Sequence, residues 1–327
     1  MKYLKKLTAV YGPSGREEQI AGAIGEILRE KGLSPREDAM GNVIVKVGGS
    51  GNKLVFMAHM DTVGLMLTRV DKEGFGYFTN IGWLDPAMIA HTMVVFENGV
   101  QAAICISDNK VGKELKLKDL YLDFGTSSQD ETEKLVSVGD MAVYTPKYHE
   151  QGEKVMSIYL DDRSGCAILL SALDQMKEFK HEVYFVFSAQ EELGARGAGP
   201  AAYGIDGAVG IAVDVTAVDD VPGSTHDGNA RLGKGAGIKI LDRNTLSRPA
   251  VLEAMRRASA RERIPSQNEL MLGGGTDAGR MAETRVGMAV GGISLPTRYT
   301  HSPVEVCDKN DYLACVRLVA ALAETEF

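Results

Sequence analysis

The chain has 327 residues, of which 44% are hydrophobic, so it can bury a large core in one big domain or two of ordinary size. It carries 36 basic and 44 acidic residues, for a net charge of −8. It has no Lys/Arg cluster of the kind that binds the phosphates of a nucleic-acid backbone. We therefore expect no nucleic-acid partner. Residues 1–8 lack a signal-peptide pattern, and no run approaches the roughly 20 apolar residues that span a bilayer, so we expect a cytoplasmic protein without a membrane partner.

The four cysteines show no sign of a disulfide framework or of a cysteine-ligated metal. They are widely spaced, lack any Cys-x-x-Cys pattern and lie in apolar or helical-looking segments. We therefore predict buried free thiols at Cys105, Cys166, Cys307 and Cys315.

The amino-terminal part of the chain predicts helices followed by strands. In chain order these are a helix over 1–10, a turn at 12–15, a helix over 17–31, and strands over 42–47 and 53–58. The second strand ends directly before His59. Because ligands of open α/β sheets bind at the carboxyl ends of strands, this position places His59 and Asp61 at a site rather than in a core.

The middle of the chain has a different pattern from its two ends. Residues 65–156 read as short alternating strands separated by turns, which predicts a compact all-β insertion. Alternating helix and strand then return, with a helix over 165–177 and strands over 183–189 and 208–215. We therefore predict a discontinuous α/β domain, residues 1–64 and 157–327, interrupted by the insertion.

Two adjacent glutamates, Glu191 and Glu192, follow the apolar strand that ends at residue 189. Neighbouring carboxylates in that position can divide two tasks, because one can hold a metal ion while the other moves a proton. Together with Glu192, four more imidazole and carboxylate side chains at strand ends and in later loops would suit a pair of zinc-like ions. The predicted ligands are His59, Asp161, Glu192, Asp214 and His301.

Charge counting supports two ions at this site. Two divalent cations bring four positive charges and three carboxylates remove three, so the centre would stay positive and acidify a bound water, as a single zinc lowers such a water to a pKa of about 7. Asp161, which precedes another aspartate, is the predicted bridging ligand, and the other four would serve as two terminal ligands per ion. Glu191 is then free to act as general base and acid. Asp61 could accept the second ring N–H of His59 and fix its tautomer.

Several other residues have less specific patterns. His226 lies in a loop that could approach a substrate, and Asp277 follows a Gly-rich run that favours either a role beside the site or a simple turn. His91, His149 and His181 have polar neighbours in the sequence and are predicted to lie on the surface. Met60 is predicted to fill the core.

Six motifs in chain order, together with two in the insertion, resemble the M42 family of dinuclear metallo-aminopeptidases. The six are AHMD at 58–61, LDDRSGC at 160–166, QEELGARGA at 190–198, VDVT at 213–216, GGTDA at 274–278 and RYTHSP at 298–303. The insertion motifs are IGWLDP at 81–86 and YLDFG at 121–125. The resemblance covers essentially the whole chain. It implies a relation to the glutamyl, leucyl and tetrahedral aminopeptidases.

The resemblance implies a mixed-sheet, phosphorylase/hydrolase-like, three-layer catalytic domain and a small inserted β-barrel that serves for dimerisation. Family members remove N-terminal residues from peptides with zinc or cobalt, and many form hollow tetrahedral dodecamers. We therefore expect short peptide substrates, and a homo-oligomer with a dimer as its building block and a dodecamer as one possible size. We also expect two divalent ions per subunit, with zinc first and cobalt or manganese as alternatives. The family's roles fall on the five ligands named above, with Asp161 bridging and Glu191 as the base.

Two alternative functions stay open. Thr62 and Val63 stand where the family often has Glu-Ile, which resembles the M20 and M28 peptidases and suggests a deacylase or carboxypeptidase. Activity on N-blocked substrates would favour that alternative. The chain could also be a non-catalytic peptide-binding or assembly protein, although such a protein has no use for Glu191. Trp83 is a second departure, since the family commonly has Gly at this position.

Overall fold

The computed structural model describes residues 1–110, 114–218, 220–224 and 230–327. Within these ranges the chain forms an eleven-stranded mixed sheet flanked by helices and a separate closed six-stranded barrel. This architecture confirms the predicted α/β fold with a small β-barrel. The division into domains at the predicted residue numbers stays a prediction.

The strands of the described residues are short in the barrel and longer at the centre of the sheet. The first ten are β1 Arg36–Glu37, β2 Val43–Gly48, β3 Lys53–His59, β4 Gly64–Val70, β5 Gly76–Ile81, β6 Met93–Phe96, β7 Gln101–Ile106, β8 Leu120–Asp123, β9 Met141–Tyr144 and β10 Tyr148–Gln151. The remaining strands are β11 Lys154–Ser157, β12 Glu182–Ser188, β13 Val209–Ala217, β14 Ala236–Leu241, β15 Ser266–Leu270, β16 Ala289–Arg298 and β17 Glu305–Asp308.

The helices lie mainly before β1 and after β11. In chain order they are α1 Lys2–Leu7, α2 Glu18–Glu30, α3 Pro86–Ile89, α4 Gln129–Glu133, α5 Leu160–Leu173, α6 Ala198–Ile205, α7 Pro249–Arg261, α8 Asp277–Ala282 and α9 Lys309–Ala323. Helix α5 begins five residues earlier than the sequence predicts, and its first turn contains Asp161. That residue therefore comes from a helix start rather than from a strand end.

The centre of the large sheet consists of parallel strands in the order β12, β3, β13 and β16. The register pairs Ser188 with His59 at the ends of β12 and β3. Strand β13 pairs with β3 only as far as Ala212, so Asp214 extends beyond the end of that ladder. The carboxyl ends of these strands therefore bring several polar side chains to one edge of the sheet.

Alternating side chains of β3 bury both faces of the sheet. Leu54 and Phe56 belong to the core shared with α1, α2, α5, α7 and α9, whereas Val55 and Met57 belong to the core shared with α6 and α8. Successive side chains of a strand point to opposite faces, so an almost continuously apolar strand is required between two helical layers. Met60 is fully buried, as predicted.

The barrel closes in the order β4, β5, β8, β7, β6, β9 around its own apolar core. Its strands lie between Gly64 and Tyr144. Strands β10 and β11 follow it but pair with each other and with β17 in the large sheet. The main chain therefore returns to the sheet before residue 156, the predicted end of the insertion.

Two predictions about single residues need correction or qualification. His181 is buried rather than on the surface, because its Nε2 lies 2.8 Å from the Thr325 carbonyl oxygen and its ring contacts Phe327. The cysteines are free as predicted, but Cys105 is only partly buried, unlike the other three.

Within the described ranges, no helix is both long and apolar enough to cross a membrane.

Candidate metal centre

The five predicted ligands come together at the carboxyl edge of the central strands. His59 is the last residue of β3, and Asp214 lies in β13 beyond its pairing with β3. Glu192 belongs to a short 3-10 turn, Glu191–Leu193, that directly follows β12. Asp161 is in the first turn of α5, and His301 follows β16.

Asp161 lies between two sets of potential ligand atoms. Its Oδ1 is 3.0 Å from His59 Nε2, which in turn is 3.9 Å from Asp214 Oδ1. Its Oδ2 is 3.2 Å from His301 Nε2, which is also 3.2 Å from Glu192 Oε1. Two groups of three residues could therefore each hold a metal ion, and Asp161 is common to both.

The two imidazoles are surrounded by negative charge. Burial would lower the pKa of His59, but hydrogen bonds to Asp161 and Asp61 and the charge of Asp214 raise it well above its usual value. Burial likewise opposes a raised pKa for His301, which its carboxylate neighbours nevertheless hold well above the usual range. Each ring nitrogen at the centre therefore faces groups that stabilise a positive charge.

Against the effect of burial, hydrogen bonds to His301 and His59 hold the pKa of Asp161 below its usual value, whereas the pKa values of Asp214 and Glu192 are raised. Burial, and after it the charge of Asp161, raises the pKa of Asp214 to about 8. The pKa of Glu192 is also raised, chiefly by burial. A cation held among these side chains would offset both burial and mutual repulsion. Imidazole and carboxylate donors are the ligand types of zinc and also suit cobalt and manganese, so the residues present fit divalent metal ions.

Glu191 belongs to neither ligand group, although it lines the same cavity. Burial raises its pKa well above the usual range, and the charges of Asp277 and Asp214 raise it further. A carboxylate with a raised pKa is a stronger base than an ordinary one, which suits a group that accepts and returns a proton. Glu191 therefore stands apart from the two candidate ligand groups, and its role as the base stays a prediction.

The Asp61 carboxylate is directed mainly toward the turn that carries the two glutamates. It accepts the backbone N–H of Glu191 on Oδ1 at 3.0 Å and that of Glu192 on Oδ2 at 3.2 Å. Its Oδ1 is 3.5 Å from His59 Nδ1, whereas its backbone carbonyl oxygen lies closer to that nitrogen, at 3.1 Å. The expected contact with His59 therefore involves the Asp61 main chain more closely than its carboxylate.

Glu305 is a residue of the site that the sequence reasoning missed. Its carboxylate accepts the backbone N–H of Asp161 at 3.0 Å and that of His301 at 2.8 Å. It is almost completely buried, and burial followed by the charge of Asp161 raises its pKa to about 8. The available signal was an acidic residue at the start of β17, four positions after His301.

The barrel also contributes to the centre. His301 Nδ1 lies 2.9 Å from the backbone carbonyl oxygen of Trp83, in the segment that follows β5. Because the other ring nitrogen faces Asp161 and Glu192, this hydrogen bond fixes the tautomer that could bind a metal through Nε2. The indole ring of Trp83 is largely exposed and lines the cavity.

The centre opens into a cavity of about 760 Å³. Its other walls include the Gly-rich segment 273–275 together with Met271, Arg280 and Thr300. Asp277 does not line the cavity; it is buried and accepts a hydrogen bond from Ser188. His226 lies outside the described residues.

A three-layer α/β fold with a buried cluster of imidazoles and carboxylates at the sheet edge is typical of metal-dependent hydrolases. A model of the M42 glutamyl aminopeptidase family matches residues 41–318. The chain therefore belongs to the M42 peptidase family, which confirms the resemblance seen in the motifs.

Similar proteins match along nearly the whole chain. A putative aminopeptidase of Acetivibrio thermocellus is 39% identical over 97% of this chain and 96% of its own. The structure of an aminopeptidase from Desulfurococcus kamchatkensis superposes with a TM-score of 0.94 at 35% identity, over 99% and 94% of the two chains. The TET1 peptidase of Pyrococcus horikoshii, with a TM-score of 0.88 at 30% identity over 98% of each chain, can assemble into a tetrahedron or a large octahedral shell. Family and relatives together support an aminopeptidase.

Proposed function

We propose that this protein is a metal-dependent aminopeptidase that hydrolyses N-terminal residues from short peptides at a pair of divalent ions. The observation that carries the proposal is the position of Asp161 between two candidate ligand groups, with Glu191 lining the same cavity and part of neither group. One shared carboxylate is what two closely spaced ions require. Membership of the M42 family supports the same conclusion.

Each ion would have two terminal ligands in addition to Asp161. His59 and Asp214 would hold one ion, and Glu192 and His301 the other. When bound, the ions would supply Lewis acidity, which acidifies water and polarises the carbonyl group of the scissile bond. Zinc is the preferred metal, with cobalt or manganese as alternatives, because mixed imidazole and carboxylate sites accept all three.

Glu191 would move the proton of the reaction. Its carboxylate would take a proton from the attacking water and pass it to the nitrogen of the leaving amine, which completes hydrolysis of the peptide bond. The Asp61 carboxylate would hold the backbone of this turn, and Glu305 would hold the backbone of two ligands. These side chains would thus keep the base and the ligands in fixed relative positions.

The test compares the chain with its Glu191→Gln variant after chelator treatment and reconstitution with zinc, cobalt or manganese. The amide cannot accept the proton, so we expect kcat to fall by about 100-fold to 10,000-fold while metal content stays near that of the original chain. A panel of aminoacyl chromogenic substrates gives the rates, and metal analysis gives the stoichiometry. The matched control is Glu253→Gln, because Glu253 is an exposed acidic residue of α7.

Four results would contradict the proposal. Full activity of the Glu191→Gln variant would show that the base is wrong. Full activity in excess chelator would remove the metal mechanism. Hydrolysis restricted to N-blocked substrates would favour the deacylase or carboxypeptidase alternative, and binding of peptides without turnover would favour a binding protein.

The barrel is proposed to be a dimerisation domain within a homo-oligomer. The support comes from the TET1 peptidase of Pyrococcus horikoshii, which forms closed shells. Native mass spectrometry tests this assembly directly. Even-numbered oligomers would be expected, and a monomer at micromolar concentration would contradict the proposal.

A further inference from the structure

The turn that carries Glu191 is held by side chains from three distant parts of the chain. We name residues 189–193 the Glu191 turn. Four consecutive backbone N–H groups of this turn donate to side-chain oxygens: Ala189 to Asn42 Oδ1 at 2.9 Å, Gln190 to Glu17 Oε1 at 3.1 Å, and Glu191 and Glu192 to the Asp61 carboxylate. The main-chain donors at the start of this short 3-10 turn thus all have acceptors outside it.

The Glu191 turn has a backbone conformation that requires such support. Gln190 has a φ of 55°, in the left-handed region that a residue with a side chain rarely adopts. Gly194, directly after the turn, and Ala195 also have positive φ values, of 104° and 54°. Because the direction of the Glu191 side chain follows from these dihedral angles, an acceptor for the Gln190 N–H helps to decide where the carboxylate lies.

Glu17 holds that acceptor at a cost in stability. It is buried, and its Oε1 accepts both the Gly15 N–H at 2.7 Å and the Gln190 N–H. Burial, and then the charge of Asp61, raises its pKa to about 7, although the backbone hydrogen bonds partly oppose that rise. A buried carboxyl group of this kind adds little to the stability of the fold. Its contact with the Glu191 turn therefore indicates a role in the position of that turn.

The segment that carries Glu17 is fixed to the rest of the site. The Ser14 hydroxyl donates to Asp61 Oδ2 at 2.5 Å, and the Ser14 N–H donates to the Thr62 carbonyl at 3.1 Å. The buried guanidinium of Arg163, two residues after Asp161, donates to the Gly12 carbonyl at 3.2 Å. Glu17 is therefore a rigidly mounted acceptor rather than a mobile surface glutamate.

We propose that Glu17 is a positioning residue that sets the direction of the Glu191 side chain through the backbone N–H of Gln190. The inference rests on the proposed function, because Glu17 would act by positioning the proposed base. It adds to the machinery of the site the amino-terminal segment 12–17, which includes the turn predicted at 12–15.

The test compares Glu17→Met, which keeps the size of the side chain but removes the acceptor, with Glu17→Gln, which keeps an oxygen that can accept. For Glu17→Met we expect kcat to fall by about 10-fold to 100-fold, the range seen when groups that orient a metal site are removed. KM should stay within about twofold, because the substrate contacts are unchanged. Glu17→Gln should restore kcat to within about threefold of the original chain.

A second measurement does not depend on the activity of the metal-loaded enzyme. Hydrogen–deuterium exchange of the peptide that contains Gln190, followed in chelator-treated protein, should become about tenfold faster in Glu17→Met and stay unchanged in Glu17→Gln. Glu18→Met is the matched control, because Glu18 is the exposed neighbour at the start of α2. It should change neither kcat nor exchange.

The failure of this inference can be distinguished from the failure of the proposed function. An original chain without any metal-dependent aminopeptidase activity would overturn the proposed function, and the exchange data would still decide the role of Glu17. An active chain whose Glu17→Met variant retains both kcat and slow exchange would overturn the inference. If Glu17→Met fails to fold, Glu17→Asp takes its place in both measurements. This variant keeps the carboxylate but withdraws it by one methylene, so kcat should again fall and exchange at Gln190 should again become faster.

Discussion

Two clusters of charged side chains lie close to the central strands, and one of them is built around the amine of a lysine. In the first, Lys239 Nζ lies 2.9 Å from Glu269 and 3.5 Å from Asp242, and the hydroxyls of Thr216 and Ser294 donate to Glu269. We name these five residues the lysine cluster. The second is the candidate metal centre, where carboxylates outnumber imidazoles. The lysine cluster is satisfied by the chain itself, whereas the metal centre calls for cations from outside.

This difference helps to separate structural from functional charges. A buried ion pair that is complete within the chain adds little net stability, but removing one partner is costly. A group of carboxylates whose pKa values are raised by burial and by one another indicates a site that binds a cation or moves a proton. Burial separates the two clusters only in part, because His59 and Asp214 are as buried as the lysine cluster whereas His301 is partly exposed.

The largest expected effect comes from replacing the ligand shared by both groups of the metal centre. Asp161→Asn should reduce bound metal to less than one ion per subunit and lower kcat/KM by about 1,000-fold or more, because both ions lose a charged ligand. Metal analysis and steady-state kinetics give the two values. Asp242→Asn in the lysine cluster is the control and should keep the metal content. Equal metal loss in both variants would remove the distinction between the clusters.

Replacing the cation of the lysine cluster should affect folding rather than metal binding. Lys239→Met leaves Glu269 buried without its positive partner, so we expect the free energy of unfolding to fall by about 3–5 kcal/mol. Denaturant unfolding measures this change. The double variant Lys239→Met/Glu269→Gln should recover part of the loss. Unchanged stability of Lys239→Met would show that this cluster does not depend on its own cation.

A smaller effect is expected from Glu305, which binds backbone rather than metal. Glu305→Gln keeps one acceptor oxygen but loses the second, so one of the N–H groups of Asp161 and His301 loses its partner. Metal affinity should fall by about 10-fold to 100-fold. Competition with a chromogenic chelator measures that change. An affinity equal to that of the original chain would show that Glu305 does not orient the ligands.

The smallest effect concerns an ion pair at the edge of the fold. Lys154 pairs with Asp308 and, against the opposing effect of burial, holds the Asp308 pKa below its usual value. A lowered folded-state pKa stabilises the protein above the unfolded pKa, and this contribution is lost as pH falls through the folded value. Lys154→Met should therefore cost about 0.5–1 kcal/mol at pH 7, and the difference should shrink in acid. A difference independent of pH would point to packing instead.

The sequence alone was enough to select side chains that the fold brings together around one cavity, namely the five predicted ligands and Glu191, the predicted base. Their motifs follow apolar strands, so local pattern already places His59 and Glu191 at strand ends. The alternating pattern of the insertion predicted an all-β module. These features depend on residues close in sequence, which is why they could be recognised.

The supporting contacts could not be predicted in the same way. Glu17, Asn42 and Glu305 accept backbone N–H groups, and any residue could supply such a donor once the fold brings it near. His181 was wrongly placed on the surface, because its sequence neighbours are polar while the carboxyl-terminal Phe327 covers it. Long-range packing thus decided what local pattern could not.

The hydrogen bond between His301 and the Trp83 carbonyl has a consequence for protein engineering. One end of it belongs to the segment after β5 of the barrel and the other to the loop after β16 of the sheet. The barrel therefore cannot be removed without the loss of a hydrogen bond to a residue of the site. Replacing it with a short linker would leave the His301 imidazole without its orienting partner, and any displacement of the barrel would move Trp83 away from this proposed ligand.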